Sequence, residues 1–134
     1  MGLDATRTSA GKVLIADDDP VTRSLLGQCL KAEGYAVVTA ADGVQACSVV
    51  QTEKPDFALI DLLLPRRDGY SVLLSLRSRE ASKDLPVILL SAESGEEHPA
   101  IARTLGAQGY VTKPFEPSAL MSAVKEVLLN KGKR

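Results

Sequence analysis

The chain has 134 residues, 45% of them hydrophobic and 25% charged, with a formal net charge of -1. That length suits one domain with its own core, the apolar fraction excludes disorder, and the near-neutral charge offers no polyanion-binding face. Nucleic acid is therefore not expected as a direct partner. No apolar run approaches the roughly 18 residues of a membrane span, and the N-terminus lacks a signal-peptide core. Met1-Gly2 followed by Thr6 matches a short lipidation pattern that is frequent by chance, so no membrane insertion is expected. Cys29 and Cys47, the only cysteines, sit in amphipathic helical patterns and read as two buried thiols in a reducing, cytoplasmic compartment.

Residues 1–11 are small and polar and read as a loose leader. The run Val13-Leu14-Ile15-Ala16 is the first strand. A helix is predicted over 20–33, with Asp19 as N-cap, Pro20 at its first position and Gly34 as its stop. Its apolar positions Val21, Leu25, Leu26, Cys29 and Leu30 recur at spacings of three and four and predict one buried stripe. The second strand is 35–39, and the second helix is 43–53, burying Val44, Cys47 and Val50. Pro55-Asp56 introduces a third strand at 57–60, and a helix over 70–79 turns Val72, Leu73 and Leu76 inward. The fourth strand is 87–90 behind Pro86. A weaker helix spans 99–105 and ends at Gly106, with His98 as an exposed residue at its start. The fifth strand is 109–111, and the last helix is 117–129, with the stripe Leu120, Met121, Val124, Val127 and Leu128. Residues 131–134 form a short basic tail.

Strand and helix alternate five times with short connections, which is the signature of a parallel sheet covered on both faces. The third and fourth strands are continuously apolar, as central parallel strands must be. Right-handed crossovers favour a doubly wound, flavodoxin-like α/β fold with strand order 2-1-3-4-5. That order sets the ends of the first and third strands side by side at the topological switch. Asp17, Asp18 and Asp19 follow the first strand, Asp61 ends the third and Lys113 follows the fifth. Carboxylates gathered at one rim repel each other unless a cation lies between them. The pattern therefore points to metal-assisted chemistry at an aspartate.

Taken together, Ala16-Asp17-Asp18-Asp19-Pro20, Asp61, Asp68-Gly69, Ser91-Ala92 and Lys113-Pro114-Phe115 resemble the CheY-like receiver domain of two-component response regulators. The resemblance covers 12–130 and implies a phosphorylation-dependent switch. In it, Asp61 is the phosphoacceptor, served by a phosphohistidine on a histidine kinase or histidine phosphotransfer protein. Asp18, Asp61 and the backbone carbonyl of Leu63 would bind Mg²⁺, with Mn²⁺ as a substitute, and Asp17 would act indirectly. Lys113 and Ser91 would contact the phosphoryl group, and Ser91 and Tyr110 would form the switch. The resemblance further implies a downstream protein effector, a monomer or weak phosphorylation-dependent dimer, and no conventional turnover beyond self-catalysed phosphotransfer and slow autodephosphorylation.

Arg66 stands where many receivers carry glycine. With Arg67 it either steers an anionic donor at the rim or forms a solvated turn. Glu93, two residues past Ser91, either orients a water or repels small-molecule donors. Asp19 reads as a helix cap beside the site, and Asp56 and Asp68 as turn residues. Two other functions compete. A receiver-like adaptor would lack the acceptor or the lysine, and both are present. A haloacid dehalogenase-like phosphatase fits Asp17-Asp18-Asp19-Pro20-Val21 loosely, but it leaves Asp61 without a role and finds Ser91-Ala92-Glu93 where it needs an acidic pair. The leader and the polar tail favour a stand-alone receiver over one cut from a larger regulator or hybrid kinase.

Overall fold

The computed structural model describes residues 11–92 and 97–131. Of the leader expected at 1–11, Gly11 opens the first strand, and residues 1–10, including the Met1-Gly2 pattern, lie outside the described residues. So do Glu93 and the tail at 132–134.

Five parallel strands form one sheet in the order β2-β1-β3-β4-β5. They are β1 Gly11–Ala16, β2 Tyr35–Ala40, β3 Phe57–Asp61, β4 Val87–Ser91 and β5 Gly109–Thr112. The helices are α1 Pro20–Ala32, α2 Gly43–Glu53, α3 Gly69–Arg77, α4 Glu97–Thr104 and α5 Pro117–Lys131. The doubly wound order expected from the sequence is the one observed. Boundaries differ by only a few residues, as fraying ends do. Lys131, assigned above to the tail, continues α5.

Period-two alternation divides the strands between two cores. Leu14, Ala16, Ala58, Ile60, Val87 and Leu89 pack on one face with Val72, Leu73 and Leu76 of α3. Val13, Ile15, Phe57, Leu59, Ile88 and Leu90 pack on the other with Leu26 and Leu30 of α1 and Leu120 and Val124 of α5. Every residue of β3 and β4 is buried, which accounts for their unbroken apolar runs. Tyr35 and Phe57 add an edge-to-face ring contact at 5.2 Å.

Three aspartates cap helices. Asp19 accepts from the Val21 amide at 3.2 Å, Asp42 from Gln45 at 2.7 Å and Asp68 from Ser71 at 2.8 Å. Asp56 instead ties the start of β1, accepting from the Lys12 amide at 2.7 Å. Gly69 lets α3 begin hard against β3: a Cβ there would lie 2.7 Å from Leu62 Cα and 2.8 Å from the Asp61 carbonyl oxygen.

Several burial expectations need correction. On α1 the sheet covers Leu26, Gly27 and Leu30, while Val21 and Leu25 are 65% and 56% exposed. On α2 the buried positions are Gly43, Ala46 and Val50, and Val44 faces outward. Both cysteines are free thiols but only half-buried. His98 lies within α4 and is half-buried, not an exposed cap residue. Among the described residues no helix is long and apolar enough to cross a membrane.

Candidate functional site

β1, β3, β4 and β5 end at the same edge of the sheet. In register, Ala16 stands beside Ile60, Asp61 beside Leu90 and Ser91 beside Thr112. The residues that follow or close those strands are therefore neighbours, although far apart in the chain.

Asp17 is fully buried. Its Oδ1 accepts from the Asp19 amide at 3.0 Å and its Oδ2 from Lys113 Nζ at 2.8 Å. Its backbone amide donates to the Ala40 carbonyl at 3.1 Å, and its carbonyl accepts from Arg23 Nη1 at 2.8 Å. A buried charge with this many partners is held in place and neutralised. Asp61, only 6% exposed, sits 3.3 Å from Lys113 Nζ through Oδ2 and accepts from the Leu63 amide at 3.3 Å through Oδ1. Lys113 thus bridges two carboxylates from different strand ends, and its amide donates to the Ser91 carbonyl at 2.7 Å. The peptide bond from Lys113 to Pro114 is cis.

Electrostatics follow this packing. Burial raises the Asp61 pKa above the usual carboxylate value; Lys113 pulls it back, and the Asp17 charge adds to the rise. Burial would lower the Lys113 pKa, but its hydrogen bond to Asp17 and the charges of Asp61 and Asp17 outweigh that and raise it. Asp19 behaves as a cap: the Thr22 hydroxyl at 2.6 Å and then the Val21 amide lower its pKa.

Asp18 is exposed and completes the acidic group. Carboxylate oxygens of Asp17, Asp18 and Asp61 all lie within 4.8 Å of one another, a hard-oxygen donor set that suits a divalent cation.

The match to residues 13–125 is with the response regulator receiver domain. This chain belongs to that family. The receiver is 38% identical over 117 residues to the alkaline phosphatase synthesis transcriptional regulatory protein PhoP of Bacillus subtilis. That alignment covers 87% of this chain and 48% of PhoP, so the chain spans about half the length of the curated relative it matches. Among solved structures it is similar to the chemotaxis response regulator CheY4 of Vibrio cholerae, at 31% identity and TM-score 0.82 over 87% of this chain and 97% of that one. It is equally similar to the signal receiver domain of a signal transduction histidine kinase from Syntrophus aciditrophicus, at 30% identity and TM-score 0.82, over 90% and 92% of the two chains.

The remaining expected site residues are placed as follows. Ser91 is buried at the end of β4, and Tyr110 is half-buried in β5, packed against the α3-side core. Leu63 is exposed on the loop after Asp61. Arg66 is exposed, with its Nε 3.9 Å from Asp42 on the neighbouring loop. The Arg67 guanidinium is turned onto α2 and α3, donating to Cys47 Sγ at 3.6 Å and the Ser71 carbonyl at 3.2 Å. Arg23 is a site residue that the sequence did not reveal, because an arginine one turn into a helix reads as a solvated charge. A groove of about 460 Å³, lined by Asp84, Arg103, Gln108 and Asn130, lies at the opposite end of β4 and β5 from this chemistry.

Proposed function

We propose that this receiver takes a phosphoryl group onto Asp61 and relays the change through β5 and α4 to a protein effector. The observation that carries the reading is the Lys113 ammonium, set between Asp17 at 2.8 Å and Asp61 at 3.3 Å beside a three-carboxylate cluster. An ionised Asp61 oxygen attacks phosphorus, the bond from phosphorus to the donor's histidine nitrogen breaks, and its electron pair stays on the imidazole. Lys113 then exchanges part of its pairing with Asp61 for a phosphoryl oxygen. Ser91, one strand over, supplies a hydroxyl to another.

Asp18, Asp61 and the Leu63 carbonyl are the proposed ligands of Mg²⁺, which Mn²⁺ can replace, with Asp17 acting indirectly. The donor set fits: every candidate ligand is a hard oxygen, and both Asp17 carboxylate oxygens are already engaged by Lys113 and the Asp19 amide. When bound, the cation keeps Asp61 ionised and neutralises charge on the incoming phosphoryl oxygens.

The proposed donor is a histidine kinase or a histidine phosphotransfer protein. Val21 and Leu25 on α1 and Leu63 beside Asp61 expose apolar surface around the site, which suits docking by such a protein. We place the functional unit at 12–130, in the cytoplasm, as a monomer or weak phosphorylation-dependent dimer, without conventional turnover. No observation favours the adaptor or phosphatase readings.

The test is amide NMR with Mg²⁺ and beryllofluoride, a phosphoryl mimic, on wild type and Asp61→Asn. Shift changes are expected at residues 17–19 and 61–63 and onward through 97–112 in wild type alone. Changes confined to the strand-end loops would overturn the relay, and identical changes in Asp61→Asn would overturn the acceptor assignment.

A further inference from the structure

The loop from Leu62 to Asp68 carries the Leu63 carbonyl and contains an unusual backbone. Arg66 has φ 70°, in the left-handed region that a residue with a Cβ enters only at a cost. Such conformations persist where their surroundings over-determine them. Here the surroundings are specific. The Pro65 carbonyl accepts from the Arg67 amide at 2.7 Å and from the Gly43 amide of α2 at 3.1 Å. A Cβ at Gly43 would overlap the Arg67 carbonyl oxygen, so the start of α2 and the loop backbone are in closest contact there.

The Arg67 side chain closes the arrangement. Nη1 donates to Cys47 Sγ one turn into α2, and Nη2 donates to the Ser71 carbonyl in the first turn of α3. One planar, always-charged group thus joins the helices on either side of the loop. Among the described residues, the Arg66 side chain has the distant Asp42 carboxylate at 3.9 Å as its ion-pair partner, which is a weak hold. The loop is also tied by the Leu63 amide on Asp61 Oδ1 at 3.3 Å, by the buried Leu64 and by the Pro65 carbonyl on α2. At its ends it is tied by the Gly69 amide on the Leu62 carbonyl at 2.7 Å and by the Asp68 cap. The Arg67 guanidinium adds the side-chain link to both helices.

We propose that Arg67 is a positioning residue: its clamp on Cys47 and Ser71 holds the loop against the strain at Arg66, and so fixes the Leu63 carbonyl for the cation. The inference rests on the cation reading above and assigns Arg67 a role other than steering a donor. It couples two adjacent residues, since the clamp is needed because position 66 is not glycine.

The variants are Arg67→Met, which keeps the stem and removes the guanidinium, Arg66→Gly, which relieves the strain, and the double variant. Mg²⁺ affinity is read by amide NMR titration, and amide hydrogen exchange over 62–67 is read separately in EDTA. Arg67→Met is expected to weaken Mg²⁺ about tenfold, as loss of an outer supporting contact does. It should also speed loop exchange, and Arg66→Gly in the same chain should reverse both effects. Unchanged exchange in Arg67→Met, or effects that Arg66→Gly leaves in place, would overturn the proposal. If wild type binds no Mg²⁺, the cation reading fails, and the exchange measurement still decides the clamp.

Discussion

At the scale of single residues, Asp61 is in conflict with its surroundings. Burial and the neighbouring Asp17 charge disfavour its ionised form more than Lys113 favours it, so its folded-state pKa is raised. The folded protein then binds more protons than the unfolded chain between the ordinary carboxylate value and the raised one. Stability contributed at this position is present at low pH and falls as pH rises through that window. In EDTA, Asp61→Asn is therefore expected to raise the urea midpoint at pH 7, with the gain shrinking as pH falls through that window toward the ordinary carboxylate value. A lower midpoint at pH 7 would mean that the Lys113 pairing outweighs the burial and crowding. In the proposed mechanism the same conflict is useful chemically, because an acceptor ionised in a partly dry site would be relieved when a cation or a phosphoryl group arrives. Asp17, Asp61 and Lys113 were legible as strand-end charges. Arg23 was not, and Arg67 was legible only as a rim charge, because hydrogen bonds from a guanidinium to a backbone carbonyl or a thiol leave no mark in residue spacing.

At the scale of elements, the continuously apolar runs of β3 and β4 could be read directly, since only a strand covered on both faces tolerates them. Helix faces were harder. In α1, Val21 and Leu25 form one apolar row and Leu26 and Leu30 another, and three-and-four spacing does not say which row meets the sheet. The packing decides it: Leu26, Gly27 and Leu30 are the buried positions, and Val37 of β2 lies 3.9 Å from where a Cβ at Gly27 would sit. The exposed row is then free for a partner. Leu25→Ser is expected to leave the urea midpoint nearly unchanged, within about 0.5 kcal/mol for a surface site. It should slow phosphotransfer from a histidine phosphodonor protein while leaving phosphorylation by acetyl phosphate intact; equal slowing with both donors would contradict docking on α1. A second element-scale feature is the staple at the far end of the sheet. Arg77 donates to the Gly106 carbonyl at 3.1 and 2.7 Å, to Ser82 at 3.3 Å and to Gln108 Oε1 at 3.0 Å. Gln108 in turn accepts from the Val87 amide at 2.8 Å. Arg77 sits in the last turn of α3, where a basic residue reads as a partner for the helix dipole, yet it ties α3 to the turn between α4 and β5. Arg77→Ala takes both Arg77 donors from the Gly106 carbonyl, while the Ser82 carbonyl keeps the Leu85 amide and Gln108 keeps the Val87 amide, and should cost about 1–3 kcal/mol in urea unfolding. A loss under about 0.5 kcal/mol would show that water replaces it freely.

At the scale of the molecule, the sheet does two things at once. Its two apolar faces make a rigid body, and its strand order brings Asp17 and Lys113, 96 positions apart, into one ion pair. The topology was predictable because parallel strands, right-handed crossovers and covered faces leave few alternatives. Asp19 was legible as the cap of α1, but spacing alone did not say which of the other two is buried, because that depends on how the loop after β1 turns: Asp17 points into the site and Asp18 remains exposed. This division suits a receiver in which one carboxylate holds the lysine, one is open to a cation and one accepts phosphorus. The most direct measurement is intact mass after incubation with acetyl phosphate and Mg²⁺, for wild type and Asp61→Asn. Wild type should gain about 80 Da and Asp61→Asn none. A gain that survives in Asp61→Asn would contradict the assignment of Asp61 as the acceptor.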